Sequence, residues 1–233
     1  MAEKKTRKEL LKEPDEFISF SSRVIRHARE NPKNYAMAAV LAVLIVLGVL
    51  AWFAYRNHQE VASHEMFEKA YQGYEEIAYQ DSVSPEKLDK VLDQLDQVAK
   101  DYSSLSAGEM ALLYSGHVLY KKHDYKGALE RYSRMQNTNL VKSGLGPLVL
   151  YHMAMTRMAL KEYDQALLLF DELSKDNNSP YRREAYSSTA KLYELMGKNK
   201  EAVQAYRQYL KMFPEAPDAT FVKTKIMDLS AKG

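Results

Sequence analysis

The stretch from Tyr35 to Tyr55 constrains this chain most, because its twenty-one residues carry no charge although 27% of the whole chain is charged. At about 1.5 Å per residue, a helix of this length crosses roughly the 30 Å hydrocarbon core of a bilayer. Tyr35, Trp52 and Tyr55 stand at its ends, where aromatic rings favour the membrane interface. A buried core helix is the alternative, but core helices rarely run this long without a polar face. The pattern therefore predicts a transmembrane helix at residues 35–55.

The distribution of Lys and Arg predicts the orientation of this helix. Within twenty residues of it, four basic residues lie on the N-terminal side and two, Arg56 and Lys69, on the other. Because basic flanks stay in the cytoplasm, residues 1–34 are predicted to be a cytoplasmic tail. The body would then lie in the periplasm, beyond a bacterial inner membrane. The opposite orientation, with the body in the cytoplasm as in organellar import receptors, is an alternative. A cleavable signal peptide would have a shorter apolar region ending in small residues; Trp52 and Phe53 occupy that place, which favours an uncleaved signal anchor.

The basic tail contains a second pattern. A predicted amphipathic helix lies between Pro14 and Pro32, and its apolar face includes Phe17 and Phe20. Such a helix could lie on anionic lipid or dock a partner. Equally, the tail could serve only to orient the chain in the membrane. Residues 1–12 are predicted to be disordered.

Composition excludes several classes of function. The chain has no cysteine, which excludes disulfides, thiol nucleophiles, Cys-ligated metals and Cys-linked lipids. Its net charge of +2 gives no reason to expect nucleic-acid binding. His64 and Glu68 share one helix face, but this spacing is common on solvated helices, so no metal site and no cofactor are predicted. The sequence has no Gly-rich phosphate loop and no catalytic signature. The chain is predicted not to be an enzyme.

Beyond the predicted anchor, the sequence has helix signals and no strand signal. No proline lies between Lys33 and Ser84, so the anchor helix is predicted to continue toward Tyr79. Ser84 as the cap and Pro85 at the first position start the next helix. Residues 56–106 are thus predicted to form a helical hairpin.

A threefold internal repeat follows. Three small residues recur 38 and 36 positions apart, and each has an aromatic residue four positions later and another small residue twelve positions earlier. The three sets are Gly116, Ala128 and Tyr132; Ala154, Ala166 and Phe170; and Ala190, Ala202 and Tyr206. Small residues let two helices cross closely, and the aromatic ring fills the groove beside the crossing. The spacing therefore predicts three pairs of packed helices.

This pattern resembles the tetratricopeptide repeat, a helix–turn–helix unit of 34 residues. The resemblance implies an all-α fold in which a single N-terminal transmembrane helix is followed by a tetratricopeptide-repeat solenoid. The hairpin at 56–106 would be a degenerate leading unit, residues 107–217 three repeats, and residues 218–233 a capping helix.

The resemblance also places the starts of helices within the repeats. Tyr125 and Tyr163 would open the second helices of repeats one and two, while Asn199 departs from the tyrosine of the family at the third. Proline signals start the first helices of repeats two and three, and the second of them has a serine cap. These residues are Pro147 in repeat two, and Pro180 with the cap Ser179 in repeat three.

In this family, first-helix positions that are not used for packing form the inner binding surface. By resemblance these positions are Met110, Leu113, His117 and Tyr120 in repeat one, Leu148, Tyr151, Met155 and Met158 in repeat two, and Glu184, Ser187, Lys191 and Glu194 in repeat three. The first two sets are apolar, aromatic and rich in Met, whose adaptable side chains suit varied apolar partners. We therefore expect a groove for unfolded or partner polypeptide around repeats one and two. Alternatively, these side chains are ordinary packing between repeats, or the leading helices cover them.

The whole layout resembles the YfgM-type ancillary subunits of the bacterial Sec translocon, which are single-pass proteins with periplasmic tetratricopeptide repeats. The resemblance implies protein partners: translocon subunits, periplasmic chaperones or exported polypeptides. The chain would then be an adaptor that receives or hands over exported chains. One alternative is a non-enzymatic scaffold subunit of an envelope assembly (division, secretion or pilus machinery) that binds one folded partner. In another, the cytoplasmic tail is the working part, as a dock at the membrane surface.

Overall fold

The computed structural model describes residues 16–231 of the chain. Every regular element within this range is a helix. The predicted disordered residues 1–12 lie outside the described residues, as do the last two positions. The chain divides into two compact units, residues 1–58 and 59–233.

The first unit contains α1 (Glu16–Glu30) and the apolar part of α2 (Pro32–Ala78). Asn31 separates the two helices, and its side-chain amide donates to the carbonyl of His27 at 3.3 Å. Pro32 starts α2 because proline has no N–H to extend the preceding helix. Residues 35–55 are exposed throughout, and α2 is the one described helix that is long and apolar enough to cross a membrane. The side chains of Phe17 and Phe20, predicted for the apolar face of α1, lie outside the description.

The second unit begins with the last turns of α2, which reaches Ala78 as the lack of proline predicts. The helices that follow are α3 (Pro85–Asp101), α4 (Ser106–Lys121), α5 (Tyr125–Met135), α6 (Gly146–Ala159), α7 (Tyr163–Lys175), α8 (Arg182–Leu195), α9 (Asn199–Met212) and α10 (Ala219–Ala231). The predicted start of α3 is confirmed, because Ser84 Oγ accepts a hydrogen bond from the N–H of Lys87 at 3.4 Å. The helices α5, α7 and α9 start at the three predicted residues.

Consecutive helices from α3 to α10 pack against one another along the chain. The small and aromatic residues of the threefold repeat lie at these crossings and are buried in all three repeats. At Gly116 the two helices approach closely, since a Cβ there would lie 2.6 Å from the ring of the buried Tyr132. The repeat pattern thus marks where first and second helices cross.

The turn between the two helices of each repeat has one backbone conformation. His123, Lys161 and Gly197 have φ values of 63°, 63° and 71°. In each turn the next N–H bonds back five residues at 2.9 Å, as in Asp124 to the carbonyl of Leu119, which is the pattern of a Schellman cap. Only the third repeat places glycine, the residue best suited to positive φ, at this position.

The predicted start of the first helix in repeat three is wrong by two residues. The helix α8 begins at Arg182, not at Pro180. Ser179 caps a tight turn instead of the helix: its Oγ accepts from the N–H of Tyr181 at 3.2 Å, and its carbonyl accepts from the N–H of Arg182 at 3.2 Å. Ser179 therefore makes its capping hydrogen bonds in the turn that precedes the helix.

The extra residues of repeat one lie between α5 and α6. Residues Val141–Leu145 form a wider π-helical turn, in which Gly144 has a φ of 126°. Glu109 of α4, only 4% exposed, holds the start of this segment. Its Oε1 accepts from the N–H of Asn139 at 3.1 Å and its Oε2 from the N–H of Leu140 at 2.8 Å.

Candidate partner-binding surface

The eight side chains predicted for a groove in repeats one and two lie on α4 and α6, and seven of them are partly exposed. The exception is Leu113, which is 1% exposed and belongs to the core. The expectation of an exposed Leu113 is wrong because α4 packs between α3 and α5. The surface of α4 that is exposed for binding is therefore narrower than the family resemblance implied.

The end of α2 covers part of the predicted groove at repeat one. The rings of Tyr71 and Tyr74 lie 4.9 and 4.8 Å from that of Tyr114 on α4, and the ring of Phe67 lies 5.9 Å from it. The hydroxyl of Tyr74 is 3.5 Å from Nδ1 of His117. Burial is the main cause that raises the pKa of Tyr114, so its hydroxyl stays protonated in this aromatic cluster.

Polar contacts fix the end of α2 on the repeat array. Lys121 of α4 donates from Nζ to the carbonyls of Ala78 and Gln80 at 3.3 and 2.7 Å. A cation is favoured at the C-terminus of a helix, where unpaired carbonyls face outward. Lys87 and Glu76 form a further ion pair at 3.0 Å.

Two histidines lie between the first helices of repeats one and two. The ring centroids of His117 and His152 are 4.3 Å apart, and Tyr132 stacks on His152 at 5.5 Å. Burial, with the charge of His152 as a second cause, lowers the pKa of His117 to about 3; burial lowers the pKa of His152 to about 4. Both rings are therefore neutral near pH 7. Within the described part of the chain, Nε2 of His117 has no hydrogen-bond partner.

An open concavity of about 550 Å³ lies at the boundary of repeats two and three, and we call it the first-helix depression. Its apolar wall consists of Tyr151, Met155 and Met158 of α6, all partly exposed. Tyr151 is held in place by a stacked contact with Tyr181, with ring centroids 4.8 Å apart. This wall joins three of the four predicted repeat-two residues in one concave site; the fourth, Leu148, does not line it.

The opposite wall carries residues from α8 and from the segment before α10. Arg183 donates from Nη2 to Glu184 Oε1 at 2.8 Å, and Tyr209 donates its hydroxyl proton to Asp218 Oδ1 at 2.5 Å. Of the residues predicted for repeat three, Glu184, Ser187 and Lys191 line the depression.

Glu194, the remaining residue of that set, does not line the depression. It accepts hydrogen bonds from Tyr206 and from Lys225, the latter at 2.9 Å. Burial acts to raise the pKa of Glu194, but these two bonds, together with the charges of Lys225 and Lys191, outweigh it and the pKa is lowered. Glu194 therefore joins α8 to the neighbouring helices as a structural carboxylate.

Several residues that shape this surface were missed by sequence reasoning. For the cover at repeat one a signal existed, since Phe67, Tyr71 and Tyr74 recur at helical spacing. For Arg183 and Asp218 no sequence signal existed, because these distant residues come to line one depression only in the folded chain. Within residues 16–231, no three His, Asp or Glu side chains are grouped closely enough to hold a metal ion.

The fold is similar to several solved structures. A tetratricopeptide repeat protein from Parabacteroides merdae is 17% identical, with a TM-score of 0.56, over 73% of this chain and 60% of that one. The repeats of a putative kinesin light chain from Podosopora anserina are 14% identical, with a TM-score of 0.55, over 74% and 86%. MamA from Desulfovibrio magneticus RS-1 is 15% identical, with a TM-score of 0.50, over 72% and 96%. At these identities the likeness concerns the fold alone.

This chain thus spans about 60% of the length of the Parabacteroides protein. No curated protein matches it. The family model of the tetratricopeptide repeat-like domain matches residues 30–231, which is most of the chain. Together with the three buried small–aromatic sets and the paired helices, this match shows that the chain belongs to the tetratricopeptide repeat-like domain family.

Proposed function

We propose that this chain is a membrane-anchored protein-interaction module that binds segments of other polypeptides in the first-helix depression. Tetratricopeptide repeat proteins are typically non-enzymatic interaction scaffolds. The observation that carries the proposal is the partly exposed apolar wall of Tyr151, Met155 and Met158 in a concavity of about 550 Å³. Ligand-binding clefts have volumes of about 300–1,000 Å³, a range that includes this concavity.

Three of the four charged residues that line the depression already have partners, which favours apolar contacts as the source of affinity. Arg183 is paired with Glu184, and Asp218 accepts from Tyr209. A charged ligand would compete with these contacts, whereas an apolar side chain would bury the thioether and ring surfaces of α6. Flexible Met side chains repack around different partners. The proposed occupant is therefore an extended segment with apolar side chains.

Site-specific photo-crosslinking in living cells tests this site. A crosslinker at Met155 should capture other polypeptides, and one at Tyr120, closer to the cover formed by α2, should capture fewer. A crosslinker at Glu130, exposed on α5, is the matched control. Capture at Glu130 equal to that at Met155, or only intramolecular products at Met155, would refute binding in the depression.

The proposed anchor is the uncharged part of α2, residues 35–55. Its length, its full exposure and the absence of charge support a membrane span. The excess of Lys and Arg on its N-terminal side supports a periplasmic position for the repeats. Protease added to spheroplasts should then digest residues 56–233, because only cytoplasmic segments are protected. Survival of the repeats would indicate the opposite orientation.

We further propose that the module is an adaptor for exported polypeptides beside the Sec translocon. The support is the single-pass layout together with the apolar wall of Tyr151, Met155 and Met158 in the first-helix depression. Affinity purification from gently solubilised membranes should recover translocon subunits or chaperones with many clients. Recovery of one stoichiometric folded partner would instead favour a scaffold in an envelope assembly, and reproducible absence of translocon subunits would exclude the adaptor.

A further inference from the structure

We infer that the face of the array around α7 is a second docking surface, for a segment that combines apolar and basic side chains. Two depressions flank α7, and we call them the α7 grooves. The larger groove, of about 430 Å³, is lined by residues of α7, α8 and α9. The smaller groove, of about 300 Å³, lies between α6 and α7. Neither shares a lining residue with the first-helix depression.

The larger α7 groove and the first-helix depression lie on opposite faces of α8. Tyr186, Thr189 and Tyr193 line the groove, while Ser187 and Lys191 line the depression. At 100° per residue, these two sets point in roughly opposite directions around the helix. A partner in the α7 grooves would therefore leave the first-helix depression free.

Both grooves include apolar side chains in their linings. Leu168, 70% exposed, borders the larger groove, and the half-buried rings of Tyr186 and Tyr193 line it as well. The partly buried Leu150 and the buried Met153 line the smaller one. A single exposed leucine is normal on a protein surface. Here, however, the exposed leucine borders a concave surface with two tyrosine rings, which is a geometry that can receive an apolar side chain.

The charges of the α7 grooves determine the partner. Every charged residue lining them is acidic: Asp171 and Glu201 in the larger groove, and Glu172 and Asp176 in the smaller. Lys175 pairs with Asp171 at 2.5 Å. In the described structure, the other three carboxylates have no Lys or Arg partner. A partner with Lys or Arg beside its apolar residues would complement this surface, and an acidic partner would be repelled. An amphipathic helix with a basic rim is the form that fits a groove between helices.

Peptide binding to the full-length chain tests the inference. The chain is placed in nanodiscs of zwitterionic lipid, and empty nanodiscs serve as the blank. The probe is a short fluorescent amphipathic peptide of Leu, Ala and Lys; a second peptide has Glu in place of Lys. In anisotropy titrations the basic peptide should bind at least about tenfold more tightly than the acidic one. The triple variant Leu168→Ser, Glu172→Lys and Glu201→Lys should lower its affinity by about tenfold or more.

A matched variant separates this surface from net charge. Glu130→Lys with Glu215→Lys changes the net charge by the same amount at exposed acids outside the grooves, and should leave affinity within about twofold. Equal binding of the acidic peptide, or an equal loss in the matched variant, would overturn the inference. Loss of binding after Met155→Glu would instead place the peptide in the first-helix depression, and would also overturn it.

Discussion

Replacing Glu109 with Ala removes a buried carboxylate that holds the start of the segment leading to α6. The carboxylate accepts the N–H groups of Asn139 and Leu140 at 3.1 and 2.8 Å. A hydrogen bond to a charged group contributes about 1.5–3 kcal/mol. The summed contribution of the two hydrogen bonds is an upper bound on the loss, because both donors are partly exposed and can bond to water once the side chain is gone. We therefore expect Glu109→Ala to lower the free energy of unfolding by about 3 kcal/mol.

The assay is thermal unfolding followed by circular dichroism in neutral detergent. For a chain of this size, 1 kcal/mol shifts the Tm by about 2–4 °C, so Glu109→Ala should lower it by roughly 6–12 °C. Glu109→Gln keeps one carbonyl acceptor but turns an NH₂ donor toward the second N–H, and should lose about half as much. Glu130→Ala, at an exposed acid on α5, is the control and should cost at most about 0.5 kcal/mol. If Glu109→Ala behaves like this control, the carboxylate does not hold the segment and the reasoning is refuted.

Three further predictions concern backbone and burial. A Cβ at Gly108 would lie 2.0 Å from a backbone carbonyl oxygen of the preceding loop, so Gly108→Ala should lower the free energy of unfolding in urea titrations by about 2 kcal/mol. Since Lys161 and Gly197 share positive φ, Lys161→Gly should raise the free energy of unfolding by about 1 kcal/mol and Gly197→Ala should lower it by about as much. If both variants change the free energy of unfolding in the same direction, the two turns are not equivalent. Burial lowers the pKa of His117 to about 3 and of His152 to about 4, so the unfolded chain binds more protons below pH of about 6.5. The free energy of unfolding should then fall as the pH drops from about 6.5 to about 4, by at most about 1.4 kcal/mol per pH unit for each histidine. His117→Gln should make the Tm less dependent on pH in this range. An unchanged dependence of the Tm on pH would contradict the prediction.

The repeat architecture could be predicted because its signals are local and periodic. Small residues at fixed spacing, each followed by an aromatic residue, can pack in one way between paired helices, and Ala128, Ala166 and Ala202 are buried as this requires. The start of α3 at Pro85 was equally local. The start of α8 was ambiguous, because Ser179 could cap either a helix or a turn; in the structure its Oγ accepts from the N–H of Tyr181 and caps the turn.

The candidate site was only partly predictable for a related reason. Helical spacing brings Tyr151, Met155 and Met158 to one face of α6 in any sequence of this pattern. Whether a face is free depends on its neighbours. The ring of Tyr114 meets the aromatic end of α2, and Leu113 is buried between adjacent helices. Neither contact follows from spacing within α4.

By itself, the sequence determined the helical repeats, the uncharged stretch at 35–55 and the apolar character of the first helices of repeats one and two, because each depends on residues close together in the chain. The tertiary structure alone decided which surface remains open. It placed the end of α2 over repeat one, left Met155 beside Arg183 and Asp218 in a concave site, and put acids from α7 and α9 around Leu168. These juxtapositions join residues from different helices, and only packing determines the distances between them.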